Sequence, residues 1–420
     1  MLFHRTPRFR CNGRCTLRDS LKRTPFALVY LLLAAVVLFA QPAKNANKFL
    51  GNIMSYTGVP RENFTTYWNH ITAENACQWW GIEQSRDKMN WQSADIFAEF
   101  AREASIPWRF HALLTSGSYP GWMAGLSDTL LLAEISTWMD SVAARYPDVT
   151  MIDVVNEGHP THGFPVIFKK ALGGDGVTGF DWIITAFKMA RQRWPKALLI
   201  YNDYNNLEYE QELTWTLDLI AAMKSAGAPI DVIGCEGLRL WEMNTDTLSG
   251  NIDRIAAAGL PVYISCMGIE EGYDSTQARC MRELFPVLWN HPKVIGITYW
   301  GYVQNQTWRS NMHLLSKDGI ERPALTWLKE YVENNPDPPN DFPGLLNPKT
   351  GITTSPRGVL SAGSTTAPGA NYRRTPRIFT LQGRSVRSPA NGSTAVGRQA
   401  AGWYINSSAV HHEPPLQLRP

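Results

Sequence analysis

The run Asp153-Val154-Val155-Asn156-Glu157 sets an amide and a carboxylic acid side by side at the end of a short β-branched stretch. β-Branched residues favour a strand, so the pair would sit at that strand's C-terminal end. In a barrel of alternating strands and helices, this is the end that carries catalytic side chains. A carboxyl group there can protonate a departing oxygen, and a neighbouring amide can grip a sugar hydroxyl. Together they make half of what glycoside hydrolysis needs; the other half is a second carboxylate on a later strand. A lone Glu at a strand end is ordinarily a solvated or salt-bridged loop residue, so its meaning depends on the elements around it.

Between about residues 48 and 333, short β-rich runs alternate with longer amphipathic ones. Strands are expected at Phe49–Met54, His70–Thr72, Arg109–Leu114, Thr150–Val155, Leu198–Asn202, Asp231–Cys235, Val262–Cys266 and Ile295–Trp300. Helical patterns lie between them at Trp91–Ala104, Leu130–Arg145, Asp181–Trp194, Leu207–Ala226, Thr247–Ala258 and Ser275–Leu288. Eight strands with interleaved helices over this length predict an α/β fold, a (β/α)8 TIM barrel. A doubly wound open sheet would carry a glycine-rich phosphate turn after its first strand. The sequence has none there, and Gly173-Gly174-Asp175-Gly176 reads as a turn.

The bulk numbers agree with a globular enzyme-sized domain. Of 420 residues, 44% are hydrophobic and 18% charged, and the formal charge of +3 is too small and scattered to argue for nucleic acid. Sixteen Trp residues are first of all core, but aromatic faces also stack on sugar rings. Residues 1–43 combine seven basic side chains (Arg5, Arg8, Arg10, Arg14, Arg18, Lys22, Arg23) with the apolar run Phe26 to Ala40, which suits a signal peptide or N-terminal anchor. A membrane would be met only through that segment if it stays uncleaved. Residues 44–333 form the expected barrel, 334–375 a Pro/Ser/Thr/Gly-rich linker, and 376–420 a small β unit around Arg377–Arg384 and Gly402–Ile405. Cys77, Cys235, Cys266 and Cys280 match no zinc spacing.

Several further runs complete a pattern: Tyr67-Trp68-Asn69-His70-Ile71-Thr72-Ala73-Glu74-Asn75, Ala171-Leu172-Gly173-Gly174, Asn202-Asp203-Tyr204-Asn205, Ile297-Thr298-Tyr299-Trp300-Gly301, Gln306-Thr307-Trp308-Arg309 and Glu321-Arg322-Pro323-Ala324. With the Asp153–Glu157 motif, and in this order, they resemble glycoside hydrolase family 10, the endo-1,4-β-xylanases, over nearly the whole barrel. The resemblance implies a retaining hydrolase in which Glu157 is the acid/base and Asn156 holds a sugar 2-hydroxyl. It also implies xylan or a related β-1,4-linked plant polysaccharide as partner, with no metal ion and no organic cofactor. Glu74, Asn75, Gln78, His111, Asn156, Trp300 and Trp308 would form the sugar-binding set. The C-terminal unit resembles sorting or attachment domains of secreted enzymes from Gram-negative fibre-degrading bacteria. A secreted or cell-surface monomer is therefore expected.

The family's nucleophile position departs from the pattern. Where a Glu followed two residues later by Asp is implied, this chain reads Cys266-Met267-Gly268, at a distance from Glu157 that suits the family. The family Lys is Gln78, the Trp after His111 is Thr115, and the Gln-x-His pair is Glu236-Gly237-Leu238. Four readings follow. The barrel binds xylan and barely cuts it; or Glu236 takes over as second carboxylate, stabilising the oxocarbenium-like transition state or activating water for an inverting route. In a third, Cys266 oxidised to the sulfinic acid stands in for a carboxylate. In the fourth, the chain is a polysaccharide-binding or adhesion protein on a hydrolase barrel.

Overall fold

The computed structural model describes residues 41–54, 61–162, 166–343 and 345. The expected signal segment and the β unit at 376–420 lie outside the described residues, as does most of the expected linker. Among the described residues no helix is long and apolar enough to cross a membrane.

Nine parallel strands form one ring: β1 (Phe49–Met54), β2 (His70–Ala73), β3 (Trp108–Phe110), β4 (Leu114–Thr115), β5 (Met151–Asn156), β6 (Leu198–Tyr204), β7 (Val232–Gly237), β8 (Val262–Met267) and β9 (Val294–Tyr299). Neighbours run β3-β2-β1-β9-β8-β7-β6-β5-β4, and β3 also pairs with β5, which closes the sheet. The third stave is broken into β3 and β4, so the barrel has eight staves. The single strand expected at Arg109–Leu114 divides because its register against β5 shifts by one residue between Phe110, opposite Ile152, and Leu114, opposite Val155, so that His111 and Ala112 leave the ladder. Strand residues are buried almost throughout, as a parallel sheet covered on both faces requires.

The outer helices are α1 (Arg61–Tyr67), α2 (Trp79–Ile82), α3 (Gln92–Ala104), α4 (Asp128–Arg145), α5 (Asp181–Arg193), α6 (Glu210–Ser225), α7 (Thr245–Ala257), α8 (Asp274–Trp289) and α9 (Pro323–Asn334). Caps set several boundaries. Asn244 Oδ1 accepts from the backbone N–H groups of Asp246 and Thr247, both at 3.0 Å, and starts α7 two residues before the expected Thr247. Conversely α6 begins at Glu210 rather than Leu207, because Asn205 adopts a left-handed φ of 62° and turns the chain first. Gly173, Gly174 and Gly176 all have positive φ in the turn that leads to α5, as the glycine run suggested.

Within the barrel, side chains stack in layers. The layer at the strands' N-terminal mouth holds Phe49, Met151, Leu198, Ile200, Val232, Tyr263 and Ile295. Gly296 must lack a side chain here, since a Cβ would stand 2.4 Å from the Phe49 ring. Leu345 joins this layer from outside the ring and is buried with it. The first part of the Pro/Asn-rich stretch after α9 thus lies against the barrel. Asn47 N donates to Pro336 O at 3.3 Å, Asn47 Nδ2 to Pro338 O at 2.8 Å, and Asp341 N to Pro292 O at 2.8 Å.

Candidate active site

At the opposite, C-terminal mouth, Glu157 directly follows β5 with a left-handed φ of 55°, a backbone conformation uncommon outside glycine. The bond from Glu157 N to Asn202 O at 2.8 Å holds that turn. One side chain stitches three strands together: Asn202 Nδ2 donates to Asn156 Oδ1 on β5 and to Glu236 Oε1 on β7, each at 2.7 Å. The acid–amide pair found in the sequence therefore stands beside a second carboxyl group, Glu236.

Asp203, the next residue of β6, is almost fully buried and saturated with donors. Its carboxylate accepts from Tyr201 Oη at 2.5 Å, His159 N at 3.1 Å and Tyr204 N at 2.9 Å, and pairs with His162 Nδ1 at 2.7 Å. The His162 ring stacks on Tyr204 with centroids 3.6 Å apart. This network was missed in the sequence. Asp203 lay in a recognised run without a role, and a His five residues after the motif carries no signal of its own.

Electrostatically the mouth is crowded with acids. Burial, and then the neighbouring Asp203, raise the Glu157 carboxyl from 4.5 to about 7; His162 and a hydrogen bond from Asn156 oppose the rise. Glu236 is pushed well above the usual carboxylate range by burial, then by Glu157 and Asp203, with Arg109 acting the other way. Burial alone brings Glu74 to about 7. Desolvation penalises the charged form, so these acids hold their protons to higher pH than a solvated carboxyl does.

Cys266 lies on β8 in register with Glu236. Its apolar neighbours are Ile53, Trp300 and Met312, which cluster with it, and half-buried Leu238 packs against them. Burial, followed by the charge of Glu236, pushes its thiol well above the usual range. All four cysteines among the described residues are free and buried.

Beneath Cys266 runs a buried ion pair. The Arg109 guanidinium stands 3.2 Å from Asp153 Oδ2, donates to Ser265 O at 3.1 Å, and lies 5.0 Å and 5.7 Å from the ring centres of Tyr263 and Trp300. His111 Nδ1 shares the same Asp153 oxygen at 2.6 Å, and its ring meets Trp300 edge-on at 5.5 Å. Burial lowers the His111 pKa, so the ring favours the neutral form. Neither Arg109 nor Asp153 was singled out for the site from sequence.

The remaining expected residues scatter from this centre. Glu74 is half-buried, Asn75 exposed, and Gln78 buried with its Oε1 unpartnered. Thr115 pairs with Asn156 in the ladder, and its hydroxyl is likewise unpartnered. Trp300 is buried, whereas Trp308 is 48% exposed beneath a stacked Arg309 guanidinium 4.5 Å away. Glu270 and Glu271 fall past β8, where Glu270 pairs with Arg309 at 3.5 Å. Glu83, Asp87 and Glu134 are the one carboxylate group close enough together to hold a cation among the described residues. Glu83 already accepts from Trp79 Nε1 and Asp87 N, and Glu134 pairs with Arg86. None of the three belongs to the strand-end constellation.

A closed parallel barrel with an acid–amide pair at the C-terminal end of one stave and a carboxyl group two staves on has the layout of a (β/α)8 glycosidase. The sequence profile of glycosyl hydrolase family 10 matches residues 39–332, and the chain belongs to that family. Endo-1,4-beta-xylanase B of Cellvibrio japonicus is 38% identical over 284 residues, which are 67% of this chain and 45% of that protein. The chain thus spans less than half of that relative's length. Endo-1,4-beta-xylanase B of Thermotoga neapolitana is 28% identical, over 60% of this chain and 74% of its own. Native xylanase 10B from Thermotoga maritima superposes with a TM-score of 0.62 at 26% identity, covering 70% of this chain and 97% of that structure. The fold is therefore a xylanase-type hydrolase barrel.

Proposed function

We propose that this barrel binds a β-1,4-linked xylan chain along its C-terminal mouth and has lost the covalent route to cleaving it. The observation that carries the reading is the state of Cys266. A retaining hydrolase needs one ionised carboxylate as nucleophile and one protonated acid. At the nucleophile position stands a buried thiol packed against apolar side chains on one side, with burial and Glu236 shifting it toward the protonated form against the opposing charge of Arg109. The thiolate is the nucleophilic form, so a thiol in this state does not attack. The same setting counts against oxidation to a sulfinic acid, which also proceeds through the thiolate.

Burial, and then the charges of Glu157 and Asp203, shift Glu236 toward its protonated form and so away from the missing anion. An inverting route needs a carboxylate base to activate water. Glu157 retains the position and elevated proton affinity of a general acid, with Asn156 beside it. Binding needs no base: Trp308, Asn75, Glu74 and Asn156 offer an aromatic face and polar grips. Export by the basic-then-apolar N-terminal run belongs to the same proposal.

The test is reducing-sugar release from xylan by the purified protein, beside a pull-down on insoluble xylan. Retention without release is the expected result. Release abolished by Glu157→Gln would overturn the silent reading. If Glu236→Gln abolished it too, the chemistry would have passed to Glu236.

A further inference from the structure

The room expected for the nucleophile and its support is filled, and one residue does most of the filling. Gly268 stands two residues past Cys266, and a Cβ built on it would lie 2.3 Å from Met312 Cε and 2.9 Å from Leu238 Cδ2. Met312 is 1% exposed, in the cluster with Ile53, Cys266 and Trp300. It does not reach in from a loose loop. Met312 O accepts from Tyr299 Oη at 2.7 Å, and Asn311 O and His313 O each accept from Gln277 Nε2 at 3.2 Å. Arg322 Nη1 donates to Asn311 O at 3.1 Å and to His313 O at 3.0 Å. Three successive carbonyls are thus pinned, which leaves the thioether little freedom to withdraw with its backbone.

We propose that Met312 is the residue that shuts this site: with Leu238 it seals the volume over Gly268 and makes an apolar floor beside Cys266 and Trp300. This rests on the silent-barrel reading and deepens it. The loss of the nucleophile is then a rebuilt floor spread over four positions, and Cys266 is only one of them. A carboxylate returned at 266 alone meets the Met312 and Leu238 methyl groups on one side and the Glu236 carboxyl on another, and the Arg109 charge that would favour it is already paired with Asp153.

Two measurements test this. The first is xylan cleavage by Cys266→Glu, by Cys266→Glu with Gly268→Asp, and by the same pair with Met312→Ala and Leu238→His, each checked for a cooperative melt. The expected order is little or no release from the first two and at least ~100-fold more from the last, the scale on which one member of a catalytic unit acts. Cys266→Glu alone matching the fourfold variant would overturn the proposal, and so would a folded fourfold variant that releases nothing. The second is iodoacetamide labelling of Cys266, followed on its peptide by mass spectrometry. Met312→Ala should speed labelling by at least ~10-fold by uncovering a thiol whose reactivity follows access, and an unchanged rate would overturn the floor. Sugar release by the unaltered chain would sink the silent reading, while the labelling result would still judge Met312.

Discussion

Replacing Glu157 by Gln should stabilise the folded barrel at alkaline pH and change it much less in mild acid. The carboxyl is held at about 7 in place of 4.5, so the folded state binds this proton more tightly than the unfolded chain does. Below pH 4.5 both states are protonated and the residue costs nothing. As pH rises through 7 the unfolded chain has already released the proton, and the folded state must ionise a buried group. At about 1.4 kcal/mol for each tenfold in proton affinity, the full penalty is about 3 kcal/mol, complete by roughly pH 8 to 8.5. Gln has nearly the same shape and no charge to bury. Urea unfolding followed by circular dichroism at pH 5 and pH 8.5 reads the difference directly. The Gln variant should exceed the unaltered protein by under about 1 kcal/mol at pH 5 and by about 3 kcal/mol at pH 8.5. A gain of the same size at both values, or no gain at pH 8.5, would refute the assignment of a buried, proton-holding Glu157. The gain also has a meaning for function, since retaining a costly acid is what a site poised for proton transfer does.

Other outcomes follow from the same geometry. Asp153→Asn leaves the Arg109 guanidinium buried without its counter-ion and should cost about 3–5 kcal/mol in chemical denaturation; combining it with Arg109→Met should recover part of that loss. Trp308→Ala should weaken retention on xylan by about tenfold, roughly 1.4 kcal/mol of lost ring contact, while the melting temperature holds, because the ring is 48% exposed. Leu345→Ala should lower stability by about 2–3 kcal/mol, the cost of emptying a buried leucine site, and leave xylan retention intact because that layer lies at the far mouth.

The barrel could be read from the sequence because each stave announces itself locally. β-Branched runs such as Val154-Val155 and Val262-Tyr263-Ile264 end at turn residues, and amphipathic helices separate them. The first stave, Phe49–Met54, matched to the residue. The third did not, because its break arises from a one-residue shift of register against β5, an element distant in sequence, and no local pattern records it. Helix ends slipped where a cap residue outweighed the apolar periodicity, as Asn244 did. In the site, Glu157, Asn156 and Cys266 were found because they lie in or opposite a compact motif. Arg109, His162 and Met312 were not, since each acquires its role only through partners brought from other strands. The arrival of Leu345 at the barrel mouth was equally hidden, because its Pro- and Asn-rich surroundings look like linker by composition alone.

The closure of the ring also says something about when this chain can fold. Gly51 of β1 pairs on one side with His70 and on the other with Thr298. Just before β1, Lys48 Nζ donates to Trp289 O at 2.8 Å and His291 O at 2.7 Å, and Asn47 is bound to Pro336 and Pro338. Residues near the start of the barrel thus wait for partners made near its finish. On the ribosome, β1 remains an open sheet edge until β9 emerges, and the lower mouth stays uncovered until Leu345 follows. Such an edge invites pairing with other chains, and contacts of this sequence separation form slowly. The barrel is accordingly a late-closing fold, completed after synthesis of its last segment and not stave by stave during translation.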